Sequence, residues 1–453
     1  MNTPNQTSSR SADQPSPVGP GGMGIPNAVR EQLRTLDGKE LLVYIHVPFC
    51  SSKCTFCDWV AGYTTQQLRG GSELRGRYAD AVVRQIETFA PQLMEAGYSP
   101  TCIYWGGGTP SRLDDDHLQR IGEQLHRSFD LGKVAEHTVE TSPETLTPGK
   151  VRTLKAIGVS RISMGVQSFN DDELRTAGRS HSAEQAEATA YMLRQQGFDN
   201  FNLDLIVAFP GQTPAALERT IRRTLEIRPP HLTLYPFRAD TATVMGSNVQ
   251  LGRKSLVGVK DVRAMYESSR DALCGAGYIE YMAGYFCTDE GKRFVGEDYY
   301  FAMRGDFVGF GSGGRSVLGH HQLVNRAGAL ESFIEEPLRF DSCERFSPEN
   351  IQIVVPFLGQ ALMTDTGVDY ARFARIFGFE FGAIRNHPMV AALLNHYRWC
   401  GAKLEETEER LVAAAETRNI ASLTAISRLN EVHMISADKL SSARRKAGPT
   451  TRV

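Results

Sequence analysis

Tyr44-Ile45-His46-Val47-Pro48-Phe49-Cys50-Ser51-Ser52-Lys53-Cys54-Thr55-Phe56-Cys57 holds three of the chain's eight cysteines, spaced C-x3-C-x2-C. The apolar, β-branched run 41–47 that leads in reads as a buried strand. Pro48 ends it, because proline cannot donate to a sheet ladder. The cysteines therefore fall on a loop at the C-terminal end of a first strand, where α/β sheets and barrels place their chemistry. Three thiolates this close repel one another unless a metal holds them deprotonated. Structural zinc asks for a second cysteine pair or histidines, and no such pair follows. A [4Fe–4S] cluster normally takes four thiolates; with three, one iron keeps an open position, as a catalytic metal requires. Cys50, Cys54 and Cys57 are therefore expected to hold a cluster.

This spacing resembles the radical S-adenosylmethionine (SAM) superfamily. The residues around it resemble relatives of the oxygen-independent coproporphyrinogen III oxidase and of the heme chaperone derived from it. The resemblance runs from about residue 41 to residue 316. It implies that SAM chelates the open iron through its amino and carboxylate groups. One electron from the cluster then cleaves the sulfonium to a 5′-deoxyadenosyl radical. It also implies a reducing electron donor of flavodoxin or ferredoxin type.

With 453 residues the chain has room for a large catalytic domain and smaller modules. A net charge of −2 gives no reason to expect nucleic acid or an anionic membrane. No apolar run approaches the length of a membrane span. Cys102, Cys274, Cys287, Cys343 and Cys400 are scattered, as reduced thiols of a cytoplasmic protein would be. A monomer acting on a small molecule is expected.

Residues 1–36 are rich in Ser, Pro, Gly, Asn and Gln and read as a disordered leader. From 37 to 240, β–α units alternate: a helix over 77–96, a strand 101–105, then strands at 138–141, 161–166, 202–207 and 231–235 between helices at 148–157, 183–196 and 214–227. Such repeats argue for parallel strands with right-handed crossovers. About six units are too few for an eight-stranded barrel, and the resemblance likewise implies an α/β fold built on a partial (β/α)6 barrel. Residues 241–346 read as an extension flanking the pocket, with a loop at 246–260 and many aromatics, among them Tyr281, Tyr285, Tyr299, Tyr300 and Phe307. Those rings either wall a flat conjugated substrate or pack as core. Residues 347–453 read as a mainly helical, winged-helix-like lid whose basic end (Arg444, Arg445, Lys446) is a solvated tail.

Gly106-Gly107-Gly108-Thr109-Pro110 after the second strand lets the backbone approach a ligand, with N–H groups free to face a carboxylate or ribose and Trp105 packed beneath. Glu140 and Asp204 are carboxylates in apolar strands and must find a partner or ligand. By resemblance, Tyr44, Gly107, Gly108, Thr109, Glu140, Gln167, Arg179 and Asp204 match the family's SAM-contacting positions.

The branch is read from two places. Where the oxidase usually carries a fourth cysteine, C-x3-C-x2-C-x-C, this chain has Trp59. The run 50–59 and Arg304-Gly305-Asp306-Phe307-Val308-Gly309-Phe310-Gly311 resemble the class C radical SAM methylases and cyclopropanases. Those enzymes take two SAM molecules and add a methylene carbon to an sp2 carbon of a natural-product substrate. The alternatives are the coproporphyrinogen III dehydrogenase and the heme-binding chaperone, for which His46, His181 and His231 are candidate axial ligands.

Overall fold

A computed structural model describes residues 24–58, 65–240 and 242–415, together with 417–419 and 421. Six strands, β1 (Glu40–Val47), β2 (Ser99–Gly107), β3 (Glu136–Thr141), β4 (Arg161–Gln167), β5 (Phe201–Val207) and β6 (His231–Pro236), lie side by side in chain order. Every adjacent pair is parallel. The helices Ser72–Glu95, Asp115–Ser128, Pro148–Ala156, Ala183–Gln195 and Pro214–Ile227 connect them. Both faces of such a sheet are covered, and its strand residues are largely buried, polar ones such as Glu136, His137 and Asn202 included. The first connecting helix buries Tyr78, Val82, Ile86, Phe89 and Leu93, spaced three and four residues apart. Thr147, Ser182 and Thr213 cap three of the helices through their side-chain oxygens. The expected six-unit α/β arrangement is present.

The sheet extends beyond it at both edges. β7 (Ile279–Met282) and β8 (Tyr285–Cys287) continue antiparallel from β6. On the other side β9 (Asp306–Phe310) runs parallel to β1, followed by antiparallel β10 (Arg315–Leu318), β11 (His321–Asn325) and β12 (Phe340–Arg345). These short strands, rich in glycine or aromatics, gave no usable periodicity in the sequence.

β9 also accounts for the 304–311 run in purely structural terms. Asp306 is buried and accepts from Tyr98 Oη at 2.6 Å and Arg375 Nη2 at 2.9 Å. That clamp ties the sheet to the C-terminal region. A Cβ at Gly305 would stand 2.8 Å from the Glu40 carbonyl oxygen, and one at Gly309 2.2 Å from that of Arg315. Gly311, at φ +98°, would place a Cβ 2.3 Å from the His46 carbonyl oxygen.

Beyond β12 a second core gathers Phe346, Ile351, Leu358, Phe373, Phe377 and Val390 with Leu42, Phe307 and Val317 of the large sheet. The helices Val355–Ala361, Tyr370–Phe377 and Pro388–Trp399 surround it. Beside them lies a three-stranded antiparallel sheet of β13 (Val368–Asp369), β14 (Leu404–Glu406) and β15 (Arg410–Ala413).

Two expectations are corrected. Part of the leader is ordered: helix Asn27–Thr35 buries Val29 and Leu33 completely. Residues 1–23 lie outside the described residues, as do Trp59, Arg444, Arg445 and Lys446. The loop expected at 246–260 overlaps a helix, Val244–Gln250, capped by Thr243, whose hydroxyl accepts from Gly246 N–H. Its two glycine- and polar-rich turns hid a short helix. No helix among the described residues is long and apolar enough to cross a membrane.

Candidate active site

Cys50, Cys54 and Cys57 lie on the loop that leaves β1. The loop is pinned from outside the sheet: Thr55 N–H donates to the Ala177 carbonyl at 2.9 Å, Thr55 Oγ1 to Thr176 at 3.0 Å and Ser52 Oγ to Gly178 at 2.8 Å. Met245 N–H donates to the Thr55 carbonyl at 2.7 Å, so the Val244–Gln250 helix also braces it. Thr109 Oγ1 donates to Cys50 Sγ at 3.7 Å, and Arg179 Nη1 to Cys54 Sγ at 3.4 Å.

The sulfur set fits a cluster on two counts. Burial, opposed by the Thr109 hydroxyl, pushes the Cys50 thiol up to about 12, so a bound cation is needed to hold it as thiolate. A single zinc with bonds of about 2.3 Å would draw its thiolates to about 3.8 Å from one another. Among the described residues, the one His/Cys/Asp/Glu group with ligand atoms all within 4.8 Å is Asp114, Asp116 and His117. The three cysteines are spread wider, as a multinuclear centre requires. The Asp114 group is an ion-pair knot, with Arg75 at 2.8 Å.

The glycine run behaves differently from expectation. Gly108 N–H donates to the Val47 carbonyl and Thr109 N–H to that of Phe49, both at 2.7 Å. Gly107 N–H is turned to the Glu140 carboxylate. The Gly108 and Thr109 amides are thus taken up within the protein, while Gly107 N–H stays beside the Glu140 carboxylate. What the glycines provide is closeness: a Cβ at Gly107 (φ +104°) would lie 2.5 Å from the His46 ring, and one at Gly108 3.0 Å from Cys50 Sγ. Trp105 is fully buried beneath, stacked on His137.

Behind the loop is a chamber walled by phenols. Tyr44 and Tyr104 stack at 6.2 Å, and Tyr300 stands edge-on to both. Glu140 accepts from Tyr104 Oη and lies within electrostatic reach of Tyr44 and Asp204. Burial raises the Tyr44, Tyr104, Tyr285 and Tyr300 phenols, which stay protonated. It also raises Glu140 to about 7, opposed by the Tyr104 hydrogen bond and reinforced by the Asp204 charge. Asp204 is raised by burial too, although Asn202 Nδ2 donates to it at 2.8 Å. Two close carboxylates with this charge deficit suit a ligand carrying positive charge.

Gln167 sits at φ +73°, at a register break in β4, and its Oε1 accepts from Tyr235 Oη at 2.9 Å. A left-handed non-glycine costs of order 1–3 kcal/mol and often marks a site. Arg179 donates to Ser142 Oγ and the Gly165 carbonyl, both at 2.6 Å. Burial works against its charge, but Cys54 and Glu144 outweigh it and raise it. Arg179 thus links the cysteine loop to the chamber floor. Arg179 reaches Cys54 and lies near Cys50. Glu140 stands within electrostatic reach of both Tyr44 and Asp204, and Tyr235 joins Gln167 to Asp204 and Arg179.

Sequence reading passed over Tyr104, Tyr235 and Asn202. Strand alternation carried a signal for Tyr104, because it must face away from the buried Trp105. The aromatics of 241–346 divide: Tyr285 and Tyr300 face the chamber side, while Phe286, Phe307 and Phe310 are core. The candidate heme ligands are engaged within the protein. His46 Nδ1 pairs with Tyr44 Oη at 3.0 Å, and burial lowers it to about 4. His181 Nε2 lies 3.2 Å from the Val166 carbonyl and Nδ1 3.4 Å from Glu144. His231 uses both nitrogens, on Asn202 and Tyr281.

Residues 44–224 match the family model described as the radical SAM superfamily. The heme chaperone HemW of Bacillus subtilis is 30% identical over 345 residues, 74% of this chain and 86% of that protein. HemW of Lactococcus lactis is 32% identical over 243 residues, and the match spans only 61% of that protein's length. Among solved structures, coproporphyrinogen III oxidase (HemN) from Escherichia coli superposes with a TM-score of 0.68 at 20% identity, covering 88% of this chain and 92% of that one. These relatives overturn the expected C-methylase or cyclopropanase. The proteins matched bear heme-pathway names. The 304–311 run that pointed to the methylases is explained by packing and the Asp306 clamp. With that branch goes the reason for a second SAM.

Proposed function

The chain belongs to the coproporphyrinogen oxidase-like family of the radical SAM superfamily, a family of [4Fe–4S] and SAM proteins, and we propose that it is one of the heme-binding chaperones of that family. The match to HemW of Bacillus subtilis across 74% of the chain is the observation that carries this reading. Trp59, in place of the fourth cysteine of the oxidases, supports it.

In this reading Cys50, Cys54 and Cys57 hold the cluster, and Tyr44, Gly107, Gly108, Thr109, Glu140, Gln167, Arg179 and Asp204 form the SAM site. When bound, these groups supply the electron and the SAM-derived reactivity of the family. The protein's part is to position and to exclude water. Arg179 balances the sulfur charge at Cys54, and Glu140 and Asp204 offer negative charge to a cationic ligand. The phenols of Tyr44, Tyr104 and Tyr300 stay protonated and add no further base beside these carboxylates. A reductant of flavodoxin or ferredoxin type would deliver the electron. Because His181 and His231 are engaged in the core, heme would bind at another face.

Anaerobic titration of the reconstituted protein with hemin tests the proposal. A saturable Soret shift at about one equivalent is expected, with no decarboxylation of coproporphyrinogen III in the presence of SAM and reductant. Decarboxylation without stoichiometric heme binding would instead make the chain a coproporphyrinogen III oxidase.

A further inference from the structure

Asp204 enters the chamber from β5, but its orientation is set from behind. Asn202 Nδ2 donates to Asp204 Oδ1 at 2.8 Å and to Ser163 Oγ at 2.9 Å. Asn202 Oδ1 accepts from Thr233 Oγ1 at 3.1 Å. The opposite amide orientation would set its oxygen against the carboxylate, so the side chain has one sensible direction.

His231, fully buried on β6, places Nδ1 2.8 Å from the same Asn202 Oδ1. Facing an acceptor, Nδ1 must carry the proton, and Nε2 is left with a lone pair. Arg161 Nη2, 3.4 Å from Nδ1, is too distant to compete. Tyr281 Oη of β7 lies 2.8 Å from Nε2 and is the donor there. The Tyr281 oxygen is in turn held by Phe294 N–H at 3.2 Å. Every hydrogen bond in this series donates toward Asp204. The series runs from β7, the edge strand, past β8 to β6 and β5, and the buried Glu297 carboxyl also lies beside the Tyr281 hydroxyl at its outer end.

We propose that Tyr281 and His231 are positioning residues of the SAM site: a directed hydrogen-bond chain, Tyr281 to His231 to Asn202, fixes the rotamer in which Asp204 meets its ligand. The inference rests on Asp204 belonging to that site. Tyr281 touches neither SAM nor the cluster. Its hydroxyl satisfies the Nε2 lone pair of the His231 tautomer that donates to Asn202, that donor holds the amide in its one direction, and the amide aims the carboxylate. Partners of this kind commonly change ligand affinity by about 10- to 100-fold when removed.

The test uses the reconstituted holoprotein with 15N-labelled histidine and Tyr281→Phe. The wild type should show the His231 tautomer protonated on Nδ1, identified by the signal lost in His231→Leu. In Tyr281→Phe that tautomer should give way, and SAM should bind about tenfold more weakly at unchanged iron content. In an Asp204→Ala background, Tyr281→Phe should cause no further loss, because the chain then ends on nothing. His231→Asn, whose amide nitrogen can take the place of Nδ1, should retain more affinity than His231→Leu. An unchanged tautomer in Tyr281→Phe, or an equal loss of affinity with and without Asp204, would overturn the proposal. If the tautomer switches but Asp204→Ala binds SAM normally, the assignment of Asp204 to SAM has failed, and the proposal with it. The tautomer signal tells the two failures apart.

Discussion

Replacing Glu140 by Gln keeps the shape of the chamber wall and removes its titration. The Glu140 carboxyl rises from 4.5 to about 7, chiefly through burial. The folded state therefore holds this proton more tightly than the unfolded chain. The stability that comes with protonation is complete below 4.5 and is lost as pH climbs toward 7. At about 1.36 kcal/mol per pH unit, the cost of ionising the wild type relative to a neutral side chain is about 1 kcal/mol near pH 5, about 2 at pH 6 and about 3 above pH 8. Gln offers one acceptor oxygen where the carboxylate has two, so the Tyr104 or Gly107 contact weakens and offsets about 1 kcal/mol. Glu140→Gln should thus match the wild type near pH 5 and exceed it by about 2 kcal/mol at pH 8, without SAM. Anaerobic denaturant unfolding at the two pH values measures the difference. With SAM present the order should reverse, since a cationic ligand stabilises the ionised carboxylate. A stability difference independent of pH would refute the placement of this carboxyl in a poorly solvated chamber.

Arg375→Ala leaves Asp306 buried with only Tyr98 as donor, and should cost about 3–5 kcal/mol in unfolding experiments. Asp306→Asn in the same background should recover part of that loss. Gly311→Ala meets the His46 carbonyl oxygen and the Tyr78 hydroxyl at 2.3 and 2.5 Å from a left-handed backbone. A loss of about 1–3 kcal/mol is expected, with the cysteine loop disturbed enough to lower iron incorporation.

The parallel half of the fold was legible because its β–α units are long and periodic, and three of the helices open on a capping Thr or Ser. The cysteine spacing, with Pro48 ending the strand before it, located the loop. Glu140 and Asp204 stood out as carboxylates in apolar strands, and the structure sets them together in one chamber. Three features resisted. Val29 and Leu33 are the only large apolar groups on a helix of nine residues, too few to register against a leader rich in small polar residues. The flanking strands β7 to β12 have three to six residues each, at the short end of the range over which alternation can be seen. The 304–311 run was misread because close backbone approach and ligand binding both select glycine. Only the close approach of the Arg315 carbonyl, and of the Glu40 and His46 carbonyls distant in sequence, reveals which applies.

The most direct measurement is the low-temperature EPR spectrum of the reduced, reconstituted protein before and after adding SAM. Wild type should give a [4Fe–4S]+ signal whose g-values shift on SAM binding. Cys50→Ala, Cys54→Ala and Cys57→Ala should each lack it, and Cys274→Ala should be indistinguishable from wild type. A cluster signal that ignores SAM, or one that survives loss of any of the three cysteines, would contradict the assignment of this loop and chamber as one cofactor site.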